Sequence, residues 1–528
     1  MTSDFDIESK AIFLIFSTQF EPPFASDRVI KYEFPWTTKT FCLGSFGLSA
    51  KSPVCTAKNG NICDPIPEGH YTPTICATAF QWVATLKCLC DFLMRKGSGN
   101  LPNIGAAGSL HEFLVKLHKQ YGPIASFWYG DKFTVSVASP VMFKELKAVF
   151  DRPVEIFKLY EPMFGDESIL FTNGTEGRLR RKTTDPAWGH DMLRHFCEIF
   201  NEIAEDTVAK LTSLPRQEQI PLCEQALTMS IKSLSRTSLG EYFKRDERCQ
   251  NLKYHFEIAW HEMEQRLDGS IPEPDSERQD KLERALQAMY GMVRKIIKER
   301  QETPPPPHQR AFIDTLLEHP DMYPESTLLS EVLIYIVGGF HTSGYIFAWS
   351  LYLLAKHSDV QEKLYKEVIS VVGRSSSIGP KDIVKFRYLK QVLNETLRVV
   401  QLVTFGAKVQ DVDIQLGGFT IPKGTPIINA LGVVYYDETI WPRPDKFDPE
   451  RFSPENEKKR HPFAFQPFGL PARKCPGNRY TFWEVTVFLA ILVRNFKWSL
   501  VEGQVIEKRY GLITSSKNEI WAQAERRE

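Results

Sequence analysis

The densest chemistry in the chain lies near its C-terminus, in Phe468-Gly469-Leu470-Pro471-Ala472-Arg473-Lys474-Cys475-Pro476-Gly477, which precedes a long apolar pattern at helical spacing. A cysteine in a Gly/Pro-rich loop, with Pro476 suited to the first turn of the helix it precedes, presents its sulfur to a helix N-terminus and favours thiolate. Such a sulfur can be a nucleophile, a zinc ligand or an axial ligand to haem iron. Zinc asks for further Cys or His at short spacing, and the only nearby histidine is His461. A nucleophile asks for a positioned base, and none is local. A haem asks for one thiolate, a cation for its propionates and an apolar shell, and Cys475, Arg473 and Phe468 offer one of each. A buried inert cysteine is the remaining reading.

Three other groups carry functional side chains. Gly338-Gly339 sits inside an apolar helical pattern, costs about 1 kcal/mol per glycine relative to alanine, and so points to close backbone approach or a bulge beside His341, Thr342 and Ser343. His341 is either a proton relay near neutral pH or a hydrogen-bonded structural residue. Glu395 and Arg398 share one helix face at i and i+3. Arg178 to Lys182 is a dense basic run, with a solvated face as the plain reading of Arg178, Arg180 and Lys182.

Taken in order, these segments resemble the cytochrome P450 family. Phe468, Arg473, Cys475 and Gly477 match its haem loop, with Gly469 inside it and Pro471 where a second glycine is expected. Gly338, Gly339, Thr342 and Ser343 match its oxygen-activating helix, with His341 in place of the usual acid. Glu395, Arg398 and Arg451 match its buried structural triad. Arg181 matches the cation of its Trp-to-Arg propionate pair, and Gly177 stands where the Trp is expected. Gly108 to Val115, Ile297 to Arg300 and Val501 to Glu507 are similar to animal family 20.

The resemblance implies a mainly α fold with a small β region (α+β), and haem b lying between the central helix and the Cys475 helix. It implies Cys475 as axial thiolate, with Arg473, Phe468, Gly469, Gly477, Arg181, Gly338 and Gly339 around the cofactor. It also implies Thr342 delivering protons, with His341, in the acid's place, either relaying protons beside it or serving a structural role. The reaction would insert one oxygen atom of O2 into a small apolar substrate, with sterol or lipid as candidate classes. Electrons would come from NADPH through a cytochrome reductase, with cytochrome b5 a second candidate donor, docking on Lys474, Arg479 and the Arg178 to Lys182 run. The departures at His341, Gly177 and Pro471 keep open a haem-thiolate isomerase or dehydratase, and a non-catalytic haem or lipid binder.

The elements that must position these residues are legible in part. Ser109 caps a helix from Leu110, followed by two strands, Ala125 to Tyr129 and Phe133 to Val137, around Gly130-Asp131. Charged helices run from about 190 to 301 with a break at Gly269 to Pro272, and Thr303 to Pro307 is an extended spacer. Ser326 to Lys356 is apolar on most faces and reads as a buried central helix. Ile414 to Gly418, Phe419 to Ile421 and Pro426 to Ile428 read as strands, Tyr480 to Val493 as a helix, and Val501 to Ser516 as a last strand pair.

Composition limits the alternatives. Lys+Arg and Asp+Glu both number 65, so net charge gives no case for a nucleic-acid partner. Six of the ten cysteines fall before residue 91, so the body reads as thiol-state and cytosol-facing. Residues 1–97 read as an extension of uncertain order, and 98–528 as the catalytic domain. The family's animal members are held on the endoplasmic reticulum membrane, and that location is the expectation here. However, Ala11 to Phe16 is too short to span a bilayer, and Lys87 and Asp91 interrupt Thr74 to Leu86.

Overall fold

The computed structural model describes residues 98–528 apart from 216, 268–269 and 375–376. The expectations for residues 1–97 and for Gly269 lie outside the described residues.

Helix α1 (Leu110–Tyr121) begins where the Ser109 side chain accepts the Glu112 N–H at 3.1 Å, and it ends at Gly122 with φ 85°. Strands β1 (Ile124–Tyr129) and β2 (Lys132–Val137) form an antiparallel hairpin across Gly130, whose φ of 62° suits a residue without a Cβ. Next come helices α2 (Gly174–Thr184), α3 (His190–Ser213), α4 (Leu222–Leu239), α5 (Asp246–Leu267), α6 (Glu277–Glu302), α7 (Glu325–Lys356) and α8 (Arg387–Val400). Strands β3 (Gly406–Lys408) and β4 (Ile427–Asn429) follow, then helix α9 (Asn478–Asn495). The hairpin joins β4 in parallel and β3 closes the sheet, in the order β1-β2-β4-β3.

Helices α4 and α9 pack directly on the 32-residue α7, which is apolar on nearly every side, and α3 packs on α4 and α9 behind them. Among the described residues α7 is the one helix long and apolar enough to cross a bilayer, and its sides are largely buried within the protein. The glycines in α7 have separate reasons. A Cβ on Gly339 would lie 2.6 Å from Leu234 of α4, and one on Gly344 would lie 2.7 Å from Leu227, so both admit α4 at close range. A Cβ on Gly338 would meet nothing within 4 Å. Gly338→Ala is therefore expected to raise stability by up to about 1 kcal/mol through helix propensity. Gly339→Val should lose about 1–3 kcal/mol by overpacking. Thermal melts of the two variants check the contrast, and equal shifts would contradict it.

The C-terminal reading needs one addition. Lys508–Tyr510 and Thr514–Ser516 form the expected pair, but Trp521–Arg526 is also a strand, held between Phe496–Leu500 and Ile220–Pro221. Its sequence, rich in Ala, Gln and Glu, has no strong strand preference, so the neighbouring strands decide its state.

Candidate active site

The Cys475 loop is closed by its own backbone. Gly469 turns with φ 80°, Pro471–Arg473 makes a single 3-10 turn that starts on the proline, and the Cys475 N–H returns to the Phe468 carbonyl at 2.9 Å. A proline that opens such a turn has no N–H to lose, so the departure at Pro471 is accommodated. Pro476 is not in the first turn of the helix: Gly477 is the cap and α9 starts at Asn478, whose side chain donates to the Cys475 carbonyl at 2.7 Å. The expected preference for thiolate meets an opposing effect in the haem-free protein. Burial pushes the Cys475 thiol up, and the hydrogen bond at Gly477 and the Arg181 and Arg152 charges only partly oppose it. A bound cation is what completes deprotonation of such a sulfur.

Cys475 opens into a cavity of about 340 Å³ between the loop and α7. Gly338, Gly339 and Thr342 form the α7 wall, Phe468, Gly469 and Gly477 the loop wall, and Leu397, Phe405 and Leu512 add apolar surface. The Thr342 hydroxyl donates to the Gly338 carbonyl at 2.5 Å. Phe468 packs on Phe482 with ring centroids 5.6 Å apart.

Four cations converge on this cavity: Arg152, Arg181, Lys408 and Arg473. Arg181 is held by Asp185 at 2.6 and 2.9 Å and donates to the Lys474 carbonyl at 2.6 Å. Arg473 spends one nitrogen on the Ile169 and Thr172 carbonyls, while its Nε and Nη1 are buried without partners. Burial and mutual repulsion lower Lys408 to about 7, Arg473 to about 8 and Arg152 to about 10. Buried Lys408 and Arg473, with half-buried Arg152 and Arg181 beside them, fit the two carboxylates of a haem, which would satisfy the unpartnered nitrogens of Arg473.

Sequence reading named Arg181 and Arg473 and missed Arg152 and Lys408. Lys408 ends a short buried strand, which is the one signal that could have marked it; nothing local marked Arg152.

A pH effect follows for the haem-free protein. The folded pKa of Lys408, about 7, lies below its ordinary 10.5, so between those values the unfolded chain binds more protons and stability rises with pH. Denaturation midpoints of haem-free protein should increase from pH 7 to 10, by up to about 1.4 kcal/mol per unit from this side chain. Lys408→Met should flatten the slope, and an unchanged slope would remove Lys408 as its source.

His341 does not face the cavity, which corrects its expected place beside Thr342. Its Nε2 lies 3.0 Å from Glu257 of α5, its Nδ1 is buried without a partner, and Phe256, Trp260 and Phe340 surround the ring. The basic run divides likewise. Arg180 is buried and ion-paired to Glu176 and Glu331, so the expected solvated, partner-facing role does not fit it. Arg178 and Lys182 are exposed, as are Lys474 and Arg479. No side chain fits at Gly177, because a Cβ there would lie 2.5 Å from the Thr172 carbonyl oxygen.

The triad does assemble. Arg398 grips Glu395 with two bonds of 2.8 Å, Arg451 approaches it at 3.3 Å, and the Asp448 N–H adds a bond of 2.9 Å. Glu395 and Arg398 are fully buried. Burial raises Glu395, and the two guanidiniums pull the other way.

A mainly helical body with a small sheet, a cysteine loop beneath a long glycine-bearing helix and a cation-lined apolar cavity define a haem-thiolate protein class. The Cytochrome P450 family model matches residues 97–521. Cytochrome P450 20A1 of Bos taurus and of Homo sapiens are each 32% identical over 436 residues, covering 81% of this chain and 91% of the relative. Cytochrome P450 4V2 of Mus musculus is 28% identical over 79% of this chain and 83% of its own. A solved structure, retinoic acid bound cyanobacterial CYP120A1, superposes with a TM-score of 0.71 at 24% identity, covering 81% of this chain and 96% of its own. The chain belongs to the cytochrome P450 family and is a haem-thiolate monooxygenase, with family 20 among its most similar relatives.

Proposed function

We propose that residues 98–528 form a catalytic domain that binds haem b through Cys475 and hydroxylates a small apolar substrate with electrons from an NADPH-dependent reductase. The observation that carries this reading is the convergence of Cys475 with four cations on one cavity, two of them buried, because a single group with one ligand position and two carboxylates would serve them together. When bound, haem supplies dioxygen activation and oxygen-atom transfer. Arg473, Arg181, Arg152 and Lys408 would hold the propionates, with Phe468 and Gly469 closing the apolar side. Gly338 leaves room for substrate against α7. Thr342 would hold and pass a proton from its hydroxyl, and His341 acts at one remove, by fixing α7 to Glu257 of α5.

The exposed Lys474, Arg479, Arg178 and Lys182 fit an acidic reductase face, and Arg180 is removed from that surface by its burial. Membrane attachment at the endoplasmic reticulum, cytosol-facing, completes the proposal, with a sterol or lipid as the candidate substrate class and cytochrome b5 as a second donor. The isomerase reading is weakened, since Gly177 has a local steric reason and Pro471 opens a 3-10 turn that a proline suits. Turnover of a metabolite extract with and without NADPH and reductase tests the choice. The monooxygenase reading expects products gaining one oxygen only when both are present, and electron-independent turnover would overturn it.

A further inference from the structure

Glu484, on α9, is a buried carboxyl with no cation beside it. Its side chain has no exposure, and hydroxyls of α4 and α9 bond to it. Ser233 of α4 hydrogen bonds to Oε1, the Tyr480 hydroxyl lies 3.4 Å from the same oxygen, and the Ser343 hydroxyl of α7 stands nearby. Its Oε2 is buried and unpartnered. The other fully buried carboxyls are paired, Glu395 with Arg398 and Glu331 with Arg180, whereas the titratable group facing Glu484 is Tyr480, and no Lys, Arg or His among the described residues acts on it.

This cluster reaches the cavity. Ser343 Oγ lies 3.2 Å from Thr481 Oγ1, and both Tyr480 and Thr481 line the cavity wall. Tyr480 is itself fixed at 3.2 Å from Ser233 and from Thr237. Ser343 directly follows Thr342, and Thr481 lies in the first turn of the helix behind Cys475.

We propose that Glu484 is a positioning residue held as a neutral carboxylic acid, and that its hydrogen bonds to Ser233 and Tyr480 fix the helix that follows Cys475 against α4, beside the Ser343–Thr481 contact that joins it to the helix carrying Thr342. A neutral acid gives one hydrogen bond and accepts the rest. A carboxylate here would be a bare charge in a dry site, which proteins avoid by neutralising the group. Burial accordingly moves its pKa up to about 8, against the pull of the three hydroxyls. The functional consequence rests on the roles proposed above for Cys475 and Thr342; the protonation state does not.

The test uses haem-loaded full-length wild type, Glu484→Gln and Glu484→Leu. Difference infrared spectra at pH 7 should show a protonated-carboxyl band in wild type that both variants lack. Glu484→Gln, which keeps the shape and the neutral polar end, should match wild type in haem content and in the reduced carbon monoxide spectrum. Glu484→Leu should melt several degrees lower and lose haem, since it removes the acceptor shared by Ser233 and Tyr480 from a buried polar cluster. Because the folded pKa is raised, the melting advantage of wild type over Glu484→Gln should shrink as pH rises from about 4.5 to 8 and level off above. Absence of the infrared band with a pH-independent difference would overturn the neutral state. A Glu484→Leu protein equal to wild type in melting and haem content would overturn the positioning role. If wild type itself lacked a thiolate-type spectrum, the reading of Cys475 would fall while the infrared result still decided the state of Glu484.

Discussion

Replacing Glu395 with alanine should leave little folded or pigmented protein, with a loss on the order of 3–5 kcal/mol. The reason is what remains behind. Arg398 is wholly buried and spends two nitrogens on this carboxylate, and Arg451 reaches it at 3.3 Å. Arg398 also donates to the Tyr435 and Lys446 carbonyls at 3.0 and 3.2 Å, so the guanidinium cannot swing to water without breaking the chain path beneath the cavity. Glu395→Gln should fall between wild type and alanine, because it keeps an acceptor but loses charge. Denaturant melts and haem content of the soluble fraction check this, and a Glu395→Ala protein within about 1 kcal/mol of wild type would show that the triad is dispensable.

Thr342→Ala should have the largest effect on the reaction itself. Two hydroxyl side chains of α7 line the cavity: Tyr335 gives its hydroxyl to Thr184, and Thr342 is held in place by its bond to the Gly338 carbonyl. A positioned proton donor contributes on the order of 10²-fold or more, so oxygenated product per NADPH should fall by about that factor while hydrogen peroxide release rises. Haem content and the carbon monoxide spectrum should stay as in wild type. Product yield per NADPH unchanged in Thr342→Ala would assign proton delivery to another group.

What the sequence made legible was whatever a short stretch carries by itself. The Cys475 loop, the apolar α7 and the Glu395-Arg398 pair are each local patterns, and each lies where its spacing placed it. Convergence was not local. Arg152, Arg181, Lys408 and Arg473 come from a loop, a helix, a strand and the cysteine loop, and no spacing rule joins them.

The turn of a helix explains two of the corrected positions. Gly338 and Thr342 are four apart and share a face, whereas His341 is rotated about 100° from Thr342 and so points to α5. The same step separates Arg180, turned inward to Glu331, from Arg181 at the cavity. Helical phase was therefore available in the sequence, and motif matching alone did not use it. The start of α9 moved for a different reason, since the Gly477 cap, and not Pro476, ends the loop.

The central claim is that the Cys475 sulfur is the ligand of a haem iron in this cavity. The reduced carbon monoxide difference spectrum of the purified protein, recorded beside that of Cys475→Ser, tests it most directly. Wild type should show the red-shifted Soret band of a thiolate-ligated haem, and the serine protein should lose it. A wild-type spectrum of the nitrogen-ligated kind, or a thiolate-type band that survives in Cys475→Ser, would contradict it.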